Sequence, residues 1–132
     1  MKLTIHTDGG ARGNPGPAGI GVVIADEKRK TVREVSEYIG RATNNQAEYR
    51  ALIRGLEEAK KLGATSVSIA MDSELIIKQL QGEYRVRDKD LQPLFVRAYN
   101  LLQTFKSYSA KHVMRAKNKR ADALVNQAID RR

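Results

Sequence analysis

The 132-residue chain has the length of one domain and carries 24 lysines and arginines against 15 acids, a formal charge of +9. Hydrophobic residues at 41% and no cysteine mean that it can bury a core without staples; disulfides, thiolate nucleophiles and cysteine-ligated metals are excluded. No apolar run reaches the ~20 residues of a membrane span, and Met1-Lys2 leads straight into a strand pattern, so no leader or anchor is expected.

Leu3, Ile5 and Thr7 alternate with Lys2, Thr4 and His6 and predict a first strand. The run from Gly9 to Pro17 is dense in turn formers and excludes helix. Ile20 to Ala25 and Thr31 to Ile39 predict two more strands, joined by a hairpin over Asp26 to Lys30. From Asn44 the period lengthens: Leu52, Leu56, Ala59 and Leu62 predict a helix that Gly63 stops, with Asn44 or Asn45 as a candidate cap. Val67, Ile69 and Met71 predict a fourth strand, after which Ser73 caps a short helix through Leu80, ended by Gly82. A further helix is expected over about Leu91 to Phe105 and a fifth strand over Tyr108 to Val113. Asn118 is then placed to cap a last helix running to about Asp130. The order βββαβααβα predicts an α/β protein with a mixed sheet: two hairpins first, then helical crossovers.

Four carboxylates stand at chain-direction switches. Asp8 ends the first strand, and Asp72 ends the fourth, where open α/β sheets bind ligands. Glu48 precedes Leu52 and Leu56 at four-residue steps, and Asp122 is in line with Val125 and Ile129. Taken singly, Glu48 or Asp122 could be a macrodipole partner worth ~0.3–1 kcal/mol, and Asp72-Ser73 simple turn chemistry. Together they mean more. Converging carboxylates repel unless a hard cation neutralises them, and an all-oxygen site suits Mg²⁺ or Mn²⁺. The basic surplus in turn favours a polyanionic partner, nucleic acid first and an anionic membrane surface second.

The segment Thr7-Asp8-Gly9-Gly10-Ala11-Arg12-Gly13-Asn14-Pro15-Gly16-Pro17-Ala18-Gly19 resembles the opening signature of type 1 ribonuclease H. Thr43 to Glu48 resembles its second motif, Asp72-Ser73 its third, and Asn118 to Asp122 with Leu124 its fourth. The motifs occur in order over nearly the whole chain, and the likeness is greatest to short bacterial and archaeal members. The resemblance implies a ribonuclease H-like domain over residues 1–132, with a five-stranded mixed sheet. Its first three strands are antiparallel, and its last two run parallel to the first.

It also implies a metal-dependent endoribonuclease that cleaves the RNA strand of RNA–DNA hybrids, leaving 5′-phosphate and 3′-hydroxyl ends. Asp8, Glu48, Asp72 and Asp122 would be catalytic and would hold two Mg²⁺ ions, with Mn²⁺ as the substitute. By the same likeness Gly9, Gly10, Ala11, Arg12, Gly13 and Asn14 bind substrate. Gly10 to Asn14, with Glu48, would meet the RNA 2′-hydroxyls that distinguish RNA from DNA. Asn44, Asn45 and Gln46 would reach minor-groove base edges, Arg41 and Thr43 a DNA-strand phosphate, and Arg115 the scissile region. The glycine-rich turn lacks the Gly-Lys-Ser/Thr ending of a P-loop and leads into a strand. Close approach of a ribose-phosphate chain is its expected use. The expectation is a cytoplasmic monomer with no membrane partner and no hybrid-binding domain ahead of Met1.

Two departures from longer members stand out. Where some carry a loop histidine before the last helix, this chain has Arg115-Ala116-Lys117; His6 and His112 fall in strands and are read as structural. The basic insertion and its tryptophans are missing: tryptophan is absent, and Arg85, Arg87 and Lys89 are balanced by Glu83, Asp88 and Asp90. Positive charge collects instead at Lys111, Arg115, Lys117, Lys119, Arg120, Arg131 and Arg132, a run that fits either a solvated face or phosphate contacts. The competing readings are a non-catalytic nucleic-acid-binding module on the same fold and a nuclease for another DNA structure.

Overall fold

A computed structural model describes all residues, 1–132. The strands are β1 (Lys2–Ala11), β2 (Gly16–Ala25), β3 (Thr31–Ala42), β4 (Ser66–Met71) and β5 (Ser107–His112). The helices are α1 (Asn44–Lys61), α2 (Glu74–Leu80), α3 (Gln92–Gln103) and α4 (Lys119–Asp130), with a 3₁₀ turn at Arg115–Lys117. One five-stranded sheet has the order β3-β2-β1-β4-β5. β1, β2 and β3 pair antiparallel, β4 runs parallel to β1, and β5 parallel to β4. The expected order and topology are those observed. No helix is long and apolar enough to cross a membrane.

The glycine-rich stretch is the main revision. It is mostly strand: Gly9, Gly10 and Ala11 pair with Ile20, Gly19 and Ala18, and only residues 12–15 turn. Gly13, at φ +93°, supplies the left-handed backbone that the tight connection needs. β3 likewise runs three residues past Ile39, because Arg41 and Ala42 pair with Pro17 and Gly16. Strand pairing with partners far along the chain overrides local turn propensity here.

Leu3, Ile5, Val22, Ile24, Val67, Ile69 and Met71 face α1 and α3 across the main core, where Leu52, Leu56, Ala98 and Leu102 meet them. The opposite face of β2 carries α4. A Cβ on Gly21 would stand 2.2 Å from the Ala121 carbonyl oxygen, so this helix rests its backbone on the sheet. On the first face α1 approaches β1 as closely, because a Cβ on Gly9 would lie 2.2 Å from the Ala47 oxygen. Two glycines thus bring two helix starts down onto the end of β1 and the middle of β2.

Helix caps also differ from expectation. Thr43, not Asn44 or Asn45, caps α1: the Gln46 N–H donates to Thr43 Oγ1 at 3.1 Å, and the Thr43 N–H donates to Gln46 Oε1 at 2.9 Å. This reciprocal box is written in the sequence as Thr-x-x-Gln. Ser73 caps α2 as expected, accepting from the Ile76 N–H at 3.4 Å. Asn118 holds the N-cap position of α4 but makes no side-chain cap; its amide is used elsewhere.

Candidate active site

Asp8 lies on β1 opposite Gly21 and is 7% exposed. The next residue, Gly9, donates its N–H to Glu48 Oε1 at 2.8 Å, so the close β1–α1 contact orients the second carboxylate. Asp72 follows the last residue of β4. One oxygen from each of Asp8, Glu48 and Asp72 falls within 4.8 Å of the others. Asp122, in the first turn of α4, comes within hydrogen-bond reach of Asp8, and its other neighbour is Arg115 Nη2 at 3.6 Å from Oδ1.

The electrostatics follow from this crowding. Burial first, and then the charges of Asp72 and Asp122, push the Asp8 carboxyl from 3.8 up to about 7. Burial and then the Asp8 charge drive Glu48 well above the usual carboxylate range, against the opposing Gly9 N–H bond. Such a cluster holds protons that ordinary carboxylates release, and a cation would displace them. All-oxygen donors on three converging carboxylates fit a hard divalent ion.

The acids open onto a cleft of about 540 Å³. Gly9, Gly10, Ala11, Arg12 and Asn44 line it, as do His112, Met114, Arg115 and Asn126, the last within 3.4 Å of Arg12 Nη2. The remaining predicted residues sit at the same end of the sheet without lining the cleft. Asn14 Oδ1 accepts from the Asn44 N–H at 3.0 Å, and Asn44 Oδ1 accepts from the Ala11 N–H at 2.8 Å, which locks the 12–15 turn to α1. Thr43 and Gln46 are occupied by their reciprocal cap, Asn45 is half-buried, and Gly13 and Arg41 are exposed. Arg12 is paired to Asp130 at 2.6 Å.

Three departures from the sequence reading matter. His112 is not a structural core residue; it is exposed on the cleft rim, because the β4–β5 register sets it opposite Met71, next to Asp72. Met114 and Asn126, not singled out in the sequence, line the same cleft, and only the helical spacing of Asn126 from Asp122 hints at it. The glycines divide by use: Gly9 is filled by α1, whereas the nearest atom to a Cβ on Gly10 would be Val125 Cγ1 at 3.6 Å. Only the second is open to a ligand. Of the basic run, Arg120 is tied bidentately to Glu34 at 2.8 and 2.9 Å, while Lys117 and Lys119 make no ion pair.

The family described as Reverse transcriptase-like matches residues 6–128. The chain is 50% identical over 129 residues to ribonuclease HI of Halobacterium salinarum, covering 98% of this chain and 65% of that protein. It superposes on the crystal structure of RNase H1 from that archaeon with a TM-score of 0.98 at 46% identity, covering 100% of both chains. The chain belongs to the ribonuclease H family. Another ribonuclease H of the family, LC11-RNase H1, was crystallised in complex with an RNA/DNA hybrid; it matches at a TM-score of 0.93 and 50% identity, covering 98% of this chain and 97% of that one. The bifunctional protein Rv2228c of Mycobacterium tuberculosis is 49% identical over 131 residues, 98% of this chain, which spans only 36% of that relative's length.

Proposed function

We propose that the chain is a divalent-metal-dependent endoribonuclease that cleaves the RNA strand of RNA–DNA hybrids, with residues 1–132 acting as one catalytic domain. The observation that carries this reading is the convergence of Asp8, Glu48 and Asp72 within 4.8 Å at the floor of an open cleft. The fold family and the hybrid held by LC11-RNase H1 support the substrate class. An acid cluster that opposes its own ionisation is poorly explained in a module that only binds nucleic acid, since uncharged residues would fill the space at lower cost.

Asp8, Glu48 and Asp72 would hold the cation, Mg²⁺ or Mn²⁺, with Asp122 completing a site for a second. When bound, such ions supply an activated water and stabilisation of the leaving 3′ oxygen. The chain's own contribution is to fix the four acids on four separate elements, so that they meet without rearrangement. Gly10, bare of a side chain, would let the RNA backbone approach, and the Ala11–Asn44–Asn14 hydrogen bonds would hold that rim rigid against 2′-hydroxyls. Gly9, Arg12, Gly13, Asn45 and Gln46 would flank the same strand, Arg41 and Thr43 would receive a phosphate of the DNA strand, and Arg115 would sit by the scissile phosphate. Products would carry 5′-phosphate and 3′-hydroxyl ends. A cytoplasmic monomer is the corresponding form of the enzyme.

The test is a gel assay of labelled RNA–DNA, RNA–RNA and DNA–DNA duplexes with Mg²⁺, Mn²⁺ or EDTA, run for the wild type and Asp8→Asn. Metal-dependent cutting confined to the RNA of the hybrid, and lost in the variant, is expected. Near-normal turnover by Asp8→Asn would remove the carboxylate site from the mechanism.

A further inference from the structure

Asn118 was expected to cap α4 and does not. It is 2% exposed, and its Nδ2 donates at 2.9 Å to the backbone oxygen of Thr7, a residue 111 positions away. Its Oδ1 is buried without a partner. An unpaired buried acceptor carries a penalty, so this amide is retained for what its nitrogen does. Thr7 immediately precedes Asp8 and is the last β1 residue in register with β4. On its other side, Asn118 offers its own backbone oxygen to the Asp122 N–H at 3.1 Å, the bond that opens α4.

Two hydrogen bonds through one residue therefore join the peptide before Asp8 to the backbone of Asp122. The rest of α4 is held independently. Its backbone rests on Gly19 and Gly21, and Ser36 Oγ donates to the Leu124 oxygen at 2.6 Å. Losing the Asn118 amide would leave the helix on the sheet, with Ala121 still seated on Gly21 and Arg120 still tied to Glu34, but would release the N-cap end whose backbone oxygen holds the Asp122 N–H.

We propose that Asn118 is a positioning residue that sets the Asp122 carboxylate against Asp8 and so completes the acid cluster. The inference rests on the nuclease reading for its activity arm, and on cation binding for an arm that does not depend on cleavage. Outer-shell residues that orient ligands typically change metal affinity or activity by about 10–100-fold when lost. Asn118→Ala should lower kcat by about that range, with the hybrid KM and hybrid binding in EDTA unchanged within about twofold. Because the effect passes through Asp122, adding Asn118→Ala to Asp122→Asn should cost less than about twofold further. Asn118→Asp keeps the size but, when ionised, turns acceptors toward the Thr7 carbonyl, and should lose as much as the alanine variant. Calorimetric titration with Mn²⁺ alone should show the binding step that draws on Asp122 weakened about tenfold or more in both Asn118 variants, whose circular dichroism should match the wild type.

A fully additive loss in the double variant, or wild-type kcat and Mn²⁺ affinity in folded Asn118→Ala and Asn118→Asp, would overturn the assignment. If the alanine variant does not fold, the aspartate variant decides by the same measurements. A wild type that cuts no hybrid with either metal would instead overturn the nuclease reading, and the Mn²⁺ titrations would still decide the role of Asn118.

Discussion

Replacing Asp8 with asparagine should stabilise the metal-free protein at about pH 8 and leave it nearly unchanged only below about pH 4. In the folded chain, burial and the charges of Asp72 and Asp122 lift the Asp8 carboxyl from 3.8 to about 7. That change corresponds to about 4 kcal/mol against the ionised form. The folded state keeps its proton where the unfolded chain has lost it. The stabilisation this brings is therefore complete below about pH 4 and fades as the pH rises through about 7. Asparagine has the same shape and no proton to lose. Glu48 re-titrates as Asp8 ionises, so a gain of about 2–4 kcal/mol is expected at the higher pH. Urea unfolding in EDTA reads this directly. At an m-value of about 2 kcal/mol/M, the midpoint of the variant should move up by about 1–2 M at high pH and hardly at all at low pH. Parallel shifts of wild type and variant across the whole range would show that Asp8 is not the strained group.

Millimolar Mg²⁺ at pH above about 7 should raise the melting temperature of the wild type, because a ligand bound only by the native state stabilises it; the rise should be smaller in Asp72→Asn, and equal shifts would locate the effect elsewhere. Gly9→Ala should destabilise by about 3 kcal/mol or more, the upper end of overpacking, since its Cβ would meet the Ala47 oxygen at 2.2 Å. Gly10→Ala should stay within about 1 kcal/mol of wild type in urea yet weaken hybrid binding; unchanged affinity would clear that rim of substrate contact. Replacing Lys117 and Lys119 together by alanine should weaken binding to all hybrid sequences alike and flatten the dependence of log K on log salt by up to about 0.9 per lost phosphate contact. Arg120→Ala should do less, because Glu34 already holds that guanidinium; superimposable titrations for the double variant would make the basic run a solvated surface.

The fold was legible because its signals are local. Alternation in Leu3–Thr7 and Val67–Met71, helical spacing from Leu52 to Leu62, and stops at Gly63 and Gly82 need no partner to be read. What escaped depends on pairing at a distance. The stretch from Gly9 to Ala11 looks like turn and is strand, because Ala18 to Ile20 lie beside it. His112 reads as a strand residue like any other until the β4–β5 register sets it next to Asp72. The convergence of Asp8, Glu48 and Asp72 was legible from their positions at element ends, whereas the tasks of Asn118 and Asn44 were not. Either amide can cap a helix, and only the tertiary approach of Thr7 or Ala11 decides otherwise.

The same feature explains why the repulsive cluster survives folding. None of the four acids anchors the element that carries it. Glu48 rides on α1, which is fixed by Leu52 and Leu56 in the main core and by the Thr43–Gln46 cap. Asp72 hangs from β4, whose Val67, Ile69 and Met71 are buried, and Asp122 rides on a helix seated on Gly19 and Gly21. Apolar burial at ~25 cal/mol per Å² therefore holds the carboxylates together against their mutual charge. The cluster is strained but not free to relax, so proton or cation uptake is the route left to it. A site built this way is ready for a divalent ion before the ion arrives.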